Sequence, residues 1–133
     1  MTRTLAARLL PFLIAVSALA ACAPPPAYEK SDCSMYTELG PVRANPAGAM
    51  GRNLEVQISL RVCPPTEGVV EIKRKRIELK HYMLALLSSK TTAELEDPLR
   101  VEKLQKEVLK MVNSKVLKKG KAVEVFVTGF ELK

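Results

Sequence analysis

The residues of this sequence that could do chemistry are first of all its cysteines, because the 133 residues contain three cysteines, one histidine and no tryptophan. Cys22 follows an apolar stretch, while Cys33 and Cys63 lie far apart in the chain. The single histidine and the three scattered cysteines do not have the spacing of a structural zinc site, and no second imidazole is available for a two-histidine site. A redox-active pair would more often be as close as C-x-x-C. We therefore expect thiol modification or cross-linking, and neither a metal nor another cofactor.

The other polar residues give no pattern typical of an enzyme. His81 lies on the helical face opposite the apolar stripe of its segment and has no carboxylate beside it in the sequence, so we interpret it as a solvated side chain. The sequence shows no recognisable nucleophile with its base, no phosphate-binding glycine loop and no paired carboxylates in a catalytic context. We predict that the protein is not an enzyme.

The N-terminal residues are typical of an export signal. Arg3 and Arg8 give a positive start, and residues 9–20 form an apolar stretch of about 12 residues that contains Pro11. A membrane-spanning helix needs roughly 20 apolar residues, so this stretch is too short to span a bilayer. The sequence therefore predicts an exported protein.

The end of this stretch, Leu19-Ala20-Ala21-Cys22, resembles the lipobox of bacterial lipoproteins. In a lipobox the peptide is cut before the cysteine, and the thiol receives a diacylglyceryl group. The resemblance implies that Cys22 is the lipid attachment site, that residues 1–21 are a signal peptide, and that residues 22–35 form a lipidated, proline-rich tether ahead of a domain at 36–133. The alternative is an ordinary secretory signal with a chance cysteine, which would still export the protein.

Two strand signals place the other two cysteines opposite each other. Residues 54–62 alternate apolar and polar side chains, and residues 36–44 give a weaker strand signal. In an antiparallel hairpin centred on Gly48, Cys33 falls opposite Cys63. An exported protein can keep a disulfide at this position. The alternative is a pair of free, buried thiols.

The second half of the chain predicts two helices and a final strand. Apolar residues repeat at helical spacing over about 70–88, and Asp97-Pro98 is a start signal for a helix over 98–118. Residues 88–95 form a polar connector, and residues 122–132 form a strand whose apolar side chains fall on both faces, which favours a central or doubly covered position. The predicted fold is a small single-domain α+β fold of order β-β-α-α-β, with an antiparallel hairpin and a C-terminal strand packed against two helices.

The positive charge is concentrated in the second half of the chain. Residues 22–68 carry four basic and five acidic side chains, whereas residues 69–133 carry fifteen basic and nine acidic ones. An exported protein does not meet nucleic acid, so the candidate partners are anionic lipid head groups, cell-wall acids or an acidic protein face. Two basic groups are candidate contact surfaces, although each of their residues could instead be a simply solvated side chain. These residues are Lys73, Arg74, Lys75, Arg76, Lys103, Lys106 and Lys110.

Three segments of the sequence together resemble the periplasmic domain of FliL, a family of flagellar basal-body-associated proteins. They are IELKHYMLALLSSKTTAEL, VEKLQKEVLKMVNSKVL and the terminal VEVFVTGFELK. The resemblance covers about residues 36–133, and the arrangement is also similar to the wider stomatin-like (SPFH) domain. It implies a non-enzymatic protein that associates with flagellar stator units or basal-body ring proteins, forms a ring of its own subunits, and supports motor assembly and motility. The family offers no catalytic residues to carry over.

The N-terminus departs from this family. FliL proteins usually have a cytoplasmic start and one membrane-spanning helix, where this chain has the lipobox-like segment. Ala23 stands where lipoproteins retained at the inner membrane have Asp, so we expect a periplasm-facing protein anchored at the outer membrane. The alternative function is that of a general envelope lipoprotein whose SPFH-like fold binds lipid, cell wall or another protein.

Overall fold

The computed structural model describes Glu29 and residues 32–133. The predicted signal peptide at 1–21, the lipid attachment site Cys22 and most of the predicted tether lie outside the described residues. Within the described part, one antiparallel sheet is formed by strands β1 (Ser34–Tyr36), β2 (Val42–Ala44), β3 (Leu54–Cys63) and β4 (Lys121–Leu132).

β3 is the central strand because it pairs along both of its edges. β4 runs antiparallel to β3 along the whole of one edge, while β1 and β2 pair in turn with the other edge. Tyr36 lies opposite Leu60, and Val42 lies opposite Val56. The predicted antiparallel hairpin is therefore confirmed.

The prediction of one strand over 36–44 is wrong, because the structure has two short strands separated by a turn. Gly40 adopts φ 76°, a left-handed conformation that glycine accepts without steric cost. Pro41, which follows it, cannot donate a ladder hydrogen bond. The turn carries the side chain of Leu39 into the core, where it is buried.

Between β3 and β4, a stretch described throughout, the chain forms four α-helices and a π-helical turn. They are α1 (Glu67–Arg74), α2 (Arg76–Ser88), α3 (Thr92–Glu96), α4 (Arg100–Met111) and the π-helical turn Val112–Val116. The helix predicted over 70–88 begins earlier and is divided at Lys75, whose φ of −99° and ψ of 21° interrupt the helical backbone. The helix predicted over 98–118 is regular α-helix only as far as Met111.

The connector predicted at 88–95 contains the start of α3, which the sequence analysis did not predict. Thr91 Oγ1 accepts a hydrogen bond from the N–H of Glu94 at 3.2 Å and lies at the same distance from a carboxylate oxygen of Glu94. A threonine followed three residues later by glutamate is a known helix-start signal. The neighbouring Lys90 is buried and pairs with the carboxylates of Glu107 and Glu94, so the connector is tied to α4.

The helices cover one face of the sheet and form the core with it. The five apolar residues that alternate along β3 from Leu54 to Val62 are each at most 2% exposed. A fully buried aliphatic side chain of this kind contributes roughly 1.5–3 kcal/mol. Every buried residue of the core cluster lies within 36–125. Since the helices pack on an antiparallel sheet, the predicted α+β class is confirmed. The helical side of the core consists of Ile72, Leu79, Met83, Leu87, Leu95, Leu104, Val108, Met111, Val112 and Val116.

β4 is an edge strand, so the prediction of a central or doubly covered position is wrong. In the described part of the chain it pairs only with β3. Amide side chains form hydrogen bonds with part of its other edge. The amide group of Asn113 donates to the C=O of Ala122 and accepts from its N–H, both at 2.8 Å. Gln105 donates to the C=O of Val125 at 2.9 Å. The apolar side chain of Phe126 lies on the face away from the helices. There it is covered by Arg61, whose guanidinium group is 5.7 Å from the centre of the ring.

Candidate functional site

One end of the sheet brings together the start of the domain, the end of β3 and the start of β4. The structure joins Cys33 to Cys63 by a disulfide whose Cα atoms are 4.3 Å apart. On the other side of β3, Lys121 is the register partner of Cys63. The N-terminal segment therefore enters the domain close to the turn that precedes β4. We call this region, made of the Cys33–Cys63 bond, α1 and residues 117–121, the disulfide end.

A buried carboxylate on α1 holds the turn at the disulfide end. Glu71 is 4% exposed and accepts hydrogen bonds from the N–H groups of Lys118 (3.1 Å), Lys119 (3.0 Å) and Gly120 (2.9 Å). The ammonium group of Lys75 lies 3.6 Å from the same carboxylate. One buried acid thus satisfies three backbone donors and is itself balanced by a cation.

Burial and hydrogen bonding act in opposite directions on the pKa of Glu71. Burial by itself raises the pKa, whereas the hydrogen bonds from Gly120, Lys119 and Lys118 and the charge of Lys75 lower it. The lowering effects win, so the pKa of Glu71 lies below its ordinary value of 4.5. The carboxylate is therefore charged at neutral pH, in the form that binds the turn.

Two glycines allow α1 to approach the turn and β3 this closely. A Cβ atom on Gly120 would lie 2.8 Å from the Cα atom of Gly68. A Cβ atom on Gly68 would lie 2.6 Å from Cγ1 of Val62. Both distances are shorter than real Cβ contacts, so a larger residue at either position would displace α1 or the turn.

The turn bound by Glu71 presents three lysines to solvent. Lys118, Lys119 and Lys121 are all exposed. Within the residues that the structure describes, none of the three pairs with an acidic side chain. Their backbone is therefore fixed, while their ammonium groups are available to a partner.

A shallow hollow of about 340 Å³ lies beside these lysines. It is lined by Lys119, Arg74 and Glu67, and by Val70, whose side chain is 59% exposed. The hollow has no set of converging polar groups that would position a reacting molecule. It extends the basic surface of the disulfide end and adds one exposed apolar residue to it.

The structure does not bring the predicted basic contact residues together into one free surface. Arg74, Lys106 and Lys110 are exposed without an ion pair in the described domain, but the other four have partners there. Those with partners are Lys73 with Glu38, Lys75 with Glu71, Arg76 with the C=O of Leu39, and Lys103 with Asp97. Lys75 is half-buried and also donates to the C=O of Val116 at 2.8 Å, so its contacts lie inside the domain.

Among the described residues, His81 does not lie in a catalytic arrangement with other candidate chemical groups. His81 is exposed on α2, and its ring centroid lies 5.4 Å from that of Tyr82, in agreement with a solvated side chain. In the part of the chain with described coordinates, no cluster of His, Cys, Asp and Glu residues could hold a metal ion. Nor does that part contain a helix with the length and apolar character needed to cross a membrane.

A second groove, of about 660 Å³, lies at the opposite end of the sheet, which we call the Gly48 end because the hairpin loop is there. Its charged lining residues are neutralised locally: Arg43 lies 2.6 Å from Glu55, and Lys133 lies 3.3 Å from Glu131. The groove is open and contains no buried polar group without a partner among its described lining residues. It gives no indication of a bound ligand.

Sequence reasoning missed Glu71 and interpreted Lys118-Lys119-Gly120 as the end of a helix. A local signal for Glu71 does exist, because this acid stands between Gly68 and Ile72 on the buried face of α1. Its hydrogen-bond donors, however, are 47 to 49 residues further along the chain. No pattern with helical or strand spacing connects positions that far apart.

One comparison with known proteins identifies the family of this chain. No curated protein matches the chain. Residues 36–131 match the sequence model of the family described as flagellar basal body-associated protein FliL. The match begins in β1, ends in β4 and includes all the helices between them. The resemblance found in the sequence is therefore confirmed, and the chain belongs to the FliL family of flagellar basal body-associated proteins.

Proposed function

We propose that this protein is a non-enzymatic, lipid-anchored component of the flagellar motor that supports stator or motor ring assembly and motility. The observation that carries the proposal is the family match over residues 36–131, because it runs from the last residue of β1 into β4 and includes the whole helical layer. The proposed partners are stator units or basal-body ring proteins, and further copies of this chain in a ring. A head-to-tail ring needs two different complementary surfaces on each subunit.

Deleting the gene is expected to impair swimming while flagella are still built, because the proposed role is to support the motor and not to form the filament. Swimming speed of single cells would be measured together with filament number by electron microscopy. Expression of the wild-type protein from a plasmid is the control and should restore swimming. Normal swimming of the deletion strain would contradict the motor role and favour the general envelope lipoprotein.

The proposed anchor is a set of acyl chains on Cys22. Each buried CH₂ group of such chains contributes about 0.8 kcal/mol, so two or three chains can hold a small domain at a bilayer without a spanning helix. Residues 22–35 extend at most roughly 45 Å, which keeps the domain near the membrane that holds the lipid. Ala23 favours the outer membrane, from which the domain would face the periplasm and the outer rings of the motor.

Replacing Cys22 by serine is expected to abolish both acylation and the cut before residue 22, because the thiol sulfur is the atom that receives the diacylglyceryl group. Mass spectrometry of the purified chains should show acyl mass and a start at residue 22 for the wild type, and neither for the variant. Cys33→Ser is the matched control and should keep the acyl mass. On a density gradient, wild-type protein should be recovered with outer-membrane markers. Recovery with inner-membrane markers alone would contradict the outer-membrane location, and a wild-type chain without acyl mass would contradict the anchor.

A further inference from the structure

The disulfide end carries unpaired positive charge at the place where the tether enters the domain. Lys118, Lys119 and Lys121 are exposed and make no ion pair within the described residues. Arg74 adds a fourth cation across the hollow beside Lys119. Three of the cations lie within four residues of the chain and the fourth shares the hollow with Lys119, so their fields add and favour an extended anionic surface as the partner.

The acidic groups of this end do not cancel that charge. Glu71 is buried, and its carboxylate is bound to three N–H groups and to Lys75. Glu67 also lines the hollow with Arg74 and Lys119, and it is exposed. The N-terminal segment beside Cys33 adds two more exposed carboxylates, Glu29 and Asp32. Four cations without an ion pair thus stand against three exposed acids, so the positive charge of this end exceeds the negative.

The covalent structure fixes how this surface lies relative to the tether. Cys33 is bonded to Cys63, and Cys63 is the register partner of Lys121. The chain from Cys22 to Cys33 extends at most about 40 Å, and it joins the domain at the end of the sheet that carries these lysines. The Gly48 end, by contrast, lies at the far end of β3.

We propose that the disulfide end is a contact surface for anionic phospholipid, in which Lys118, Lys119 and Lys121 bind the phosphate-bearing head groups of the bilayer that holds the lipid anchor. The exposed side chain of Val70 lies beside them and suits the boundary between head groups and acyl chains. This inference rests on the lipid anchor of the proposed function only for the orientation it gives to the domain. The basic surface itself is a property of the described fold.

The test uses the chain from residue 23 onward, which has no acyl chain. This chain retains every core residue and the disulfide, so it contains the whole described fold. The probe is flotation with vesicles of phosphatidylethanolamine containing about 30% phosphatidylglycerol, a typical anionic fraction, compared with vesicles of phosphatidylcholine alone. We expect binding to the anionic vesicles only, and release in about 0.5 M NaCl, where charges are screened within a few Å.

A triple variant, Lys118→Gln with Lys119→Gln and Lys121→Gln, is expected to bind the anionic vesicles on the order of 10- to 100-fold more weakly. The matched control removes three cations from the Gly48 end instead, as Arg43→Gln with Arg52→Gln and Lys133→Gln. The control should keep its affinity within about threefold, because those residues face away from the proposed surface. Circular dichroism and the urea midpoint establish that both variants are folded.

Equal weakening in the two triple variants, or equal binding of the wild type to neutral and anionic vesicles, would overturn the proposed surface. If the protein leaves the anionic vesicles and binds purified cell wall when both are present at the same salt concentration, phospholipid is not the partner. These outcomes are independent of the proposed function, because the vesicle experiment uses neither the acyl chain nor the flagellum. Normal swimming of the deletion strain would leave the vesicle result standing.

Discussion

Replacing both Cys33 and Cys63 by alanine is expected to lower the free energy of unfolding by about 3–4 kcal/mol. The bond joins residues that are 30 positions apart, and its loss would release that loop in the unfolded chain. Small domains are stable by only about 5–15 kcal/mol, so the change is a large share of the total. Thermal or urea unfolding of the chain from residue 23 would measure it, with a decrease in melting temperature on the order of 12–30 °C.

Reduction of the wild-type protein is the matched control, because it breaks the bond without changing any side chain volume in the core. In excess dithiothreitol the wild type should unfold close to the midpoint of the double variant, and the variant itself should not respond to the reductant. Two thiols that react with a maleimide in denatured, unreduced wild-type protein would show that Cys33 and Cys63 are free. That result would contradict the bond and favour the alternative of two buried thiols.

The bond also bears on the proposed lipid anchor. β1 contains only three residues, Ser34–Tyr36, and pairs with β3 alone among the described strands. Such a short strand is a weak attachment for an N-terminal tether. The disulfide links the same segment directly to β3, which is the central strand and the most buried element of the sheet. A tether fixed at Cys22 would therefore be attached to the core of the domain through Cys63.

The sequence predicted those parts of the fold that depend on local patterns. The alternation from Leu54 to Val62 identified β3 and its buried face, since the side-chain period of a strand is two residues. The position of the hairpin loop then placed Cys33 opposite Cys63. The helix predicted over 98–118 is present, but it begins two residues later, at Arg100, and its regular part ends at Met111.

The features that could not be predicted depend on contacts between distant segments. Whether β4 is central or at an edge depends on which strands are available to pair with it, and the apolar Phe126 that favoured a central position is instead covered by Arg61. The first helix is divided at Lys75, whose ammonium group donates to the C=O of Val116, 41 positions further along the chain. The surface of Lys118, Lys119 and Lys121 depends on the hydrogen bonds between this turn and Glu71 on α1, which no local sequence pattern predicts.

Glu71→Gln is expected to lower the free energy of unfolding at neutral pH by about 2–4 kcal/mol, because hydrogen bonds to a charged acceptor are worth roughly 1.5–3 kcal/mol and a buried donor left unpaired costs about 1–3 kcal/mol. The amide keeps one acceptor oxygen but turns its NH₂ group towards the N–H groups of the turn and removes the charge that balances Lys75. Urea unfolding at pH 7 measures the change. Glu78→Gln is the matched control, since Glu78 is an exposed acid on α2, and it should change the stability by less than about 0.5 kcal/mol.

The same carboxylate gives the domain a defined response to acid. Because the pKa of Glu71 in the folded protein lies below its ordinary value of 4.5, its contribution is fully present above that value and is lost as the pH falls through the folded pKa. The difference in stability between wild type and Glu71→Gln should therefore be constant from pH 7 down to about pH 5 and decrease at lower pH. A difference that stays constant down to pH 3 would show that the charge of Glu71 does not hold the turn. If the difference instead decreases below pH 5 together with the stability of the wild type, protonation of this buried acid is one cause of acid unfolding. The same protonation would then release the backbone from which the three lysines project.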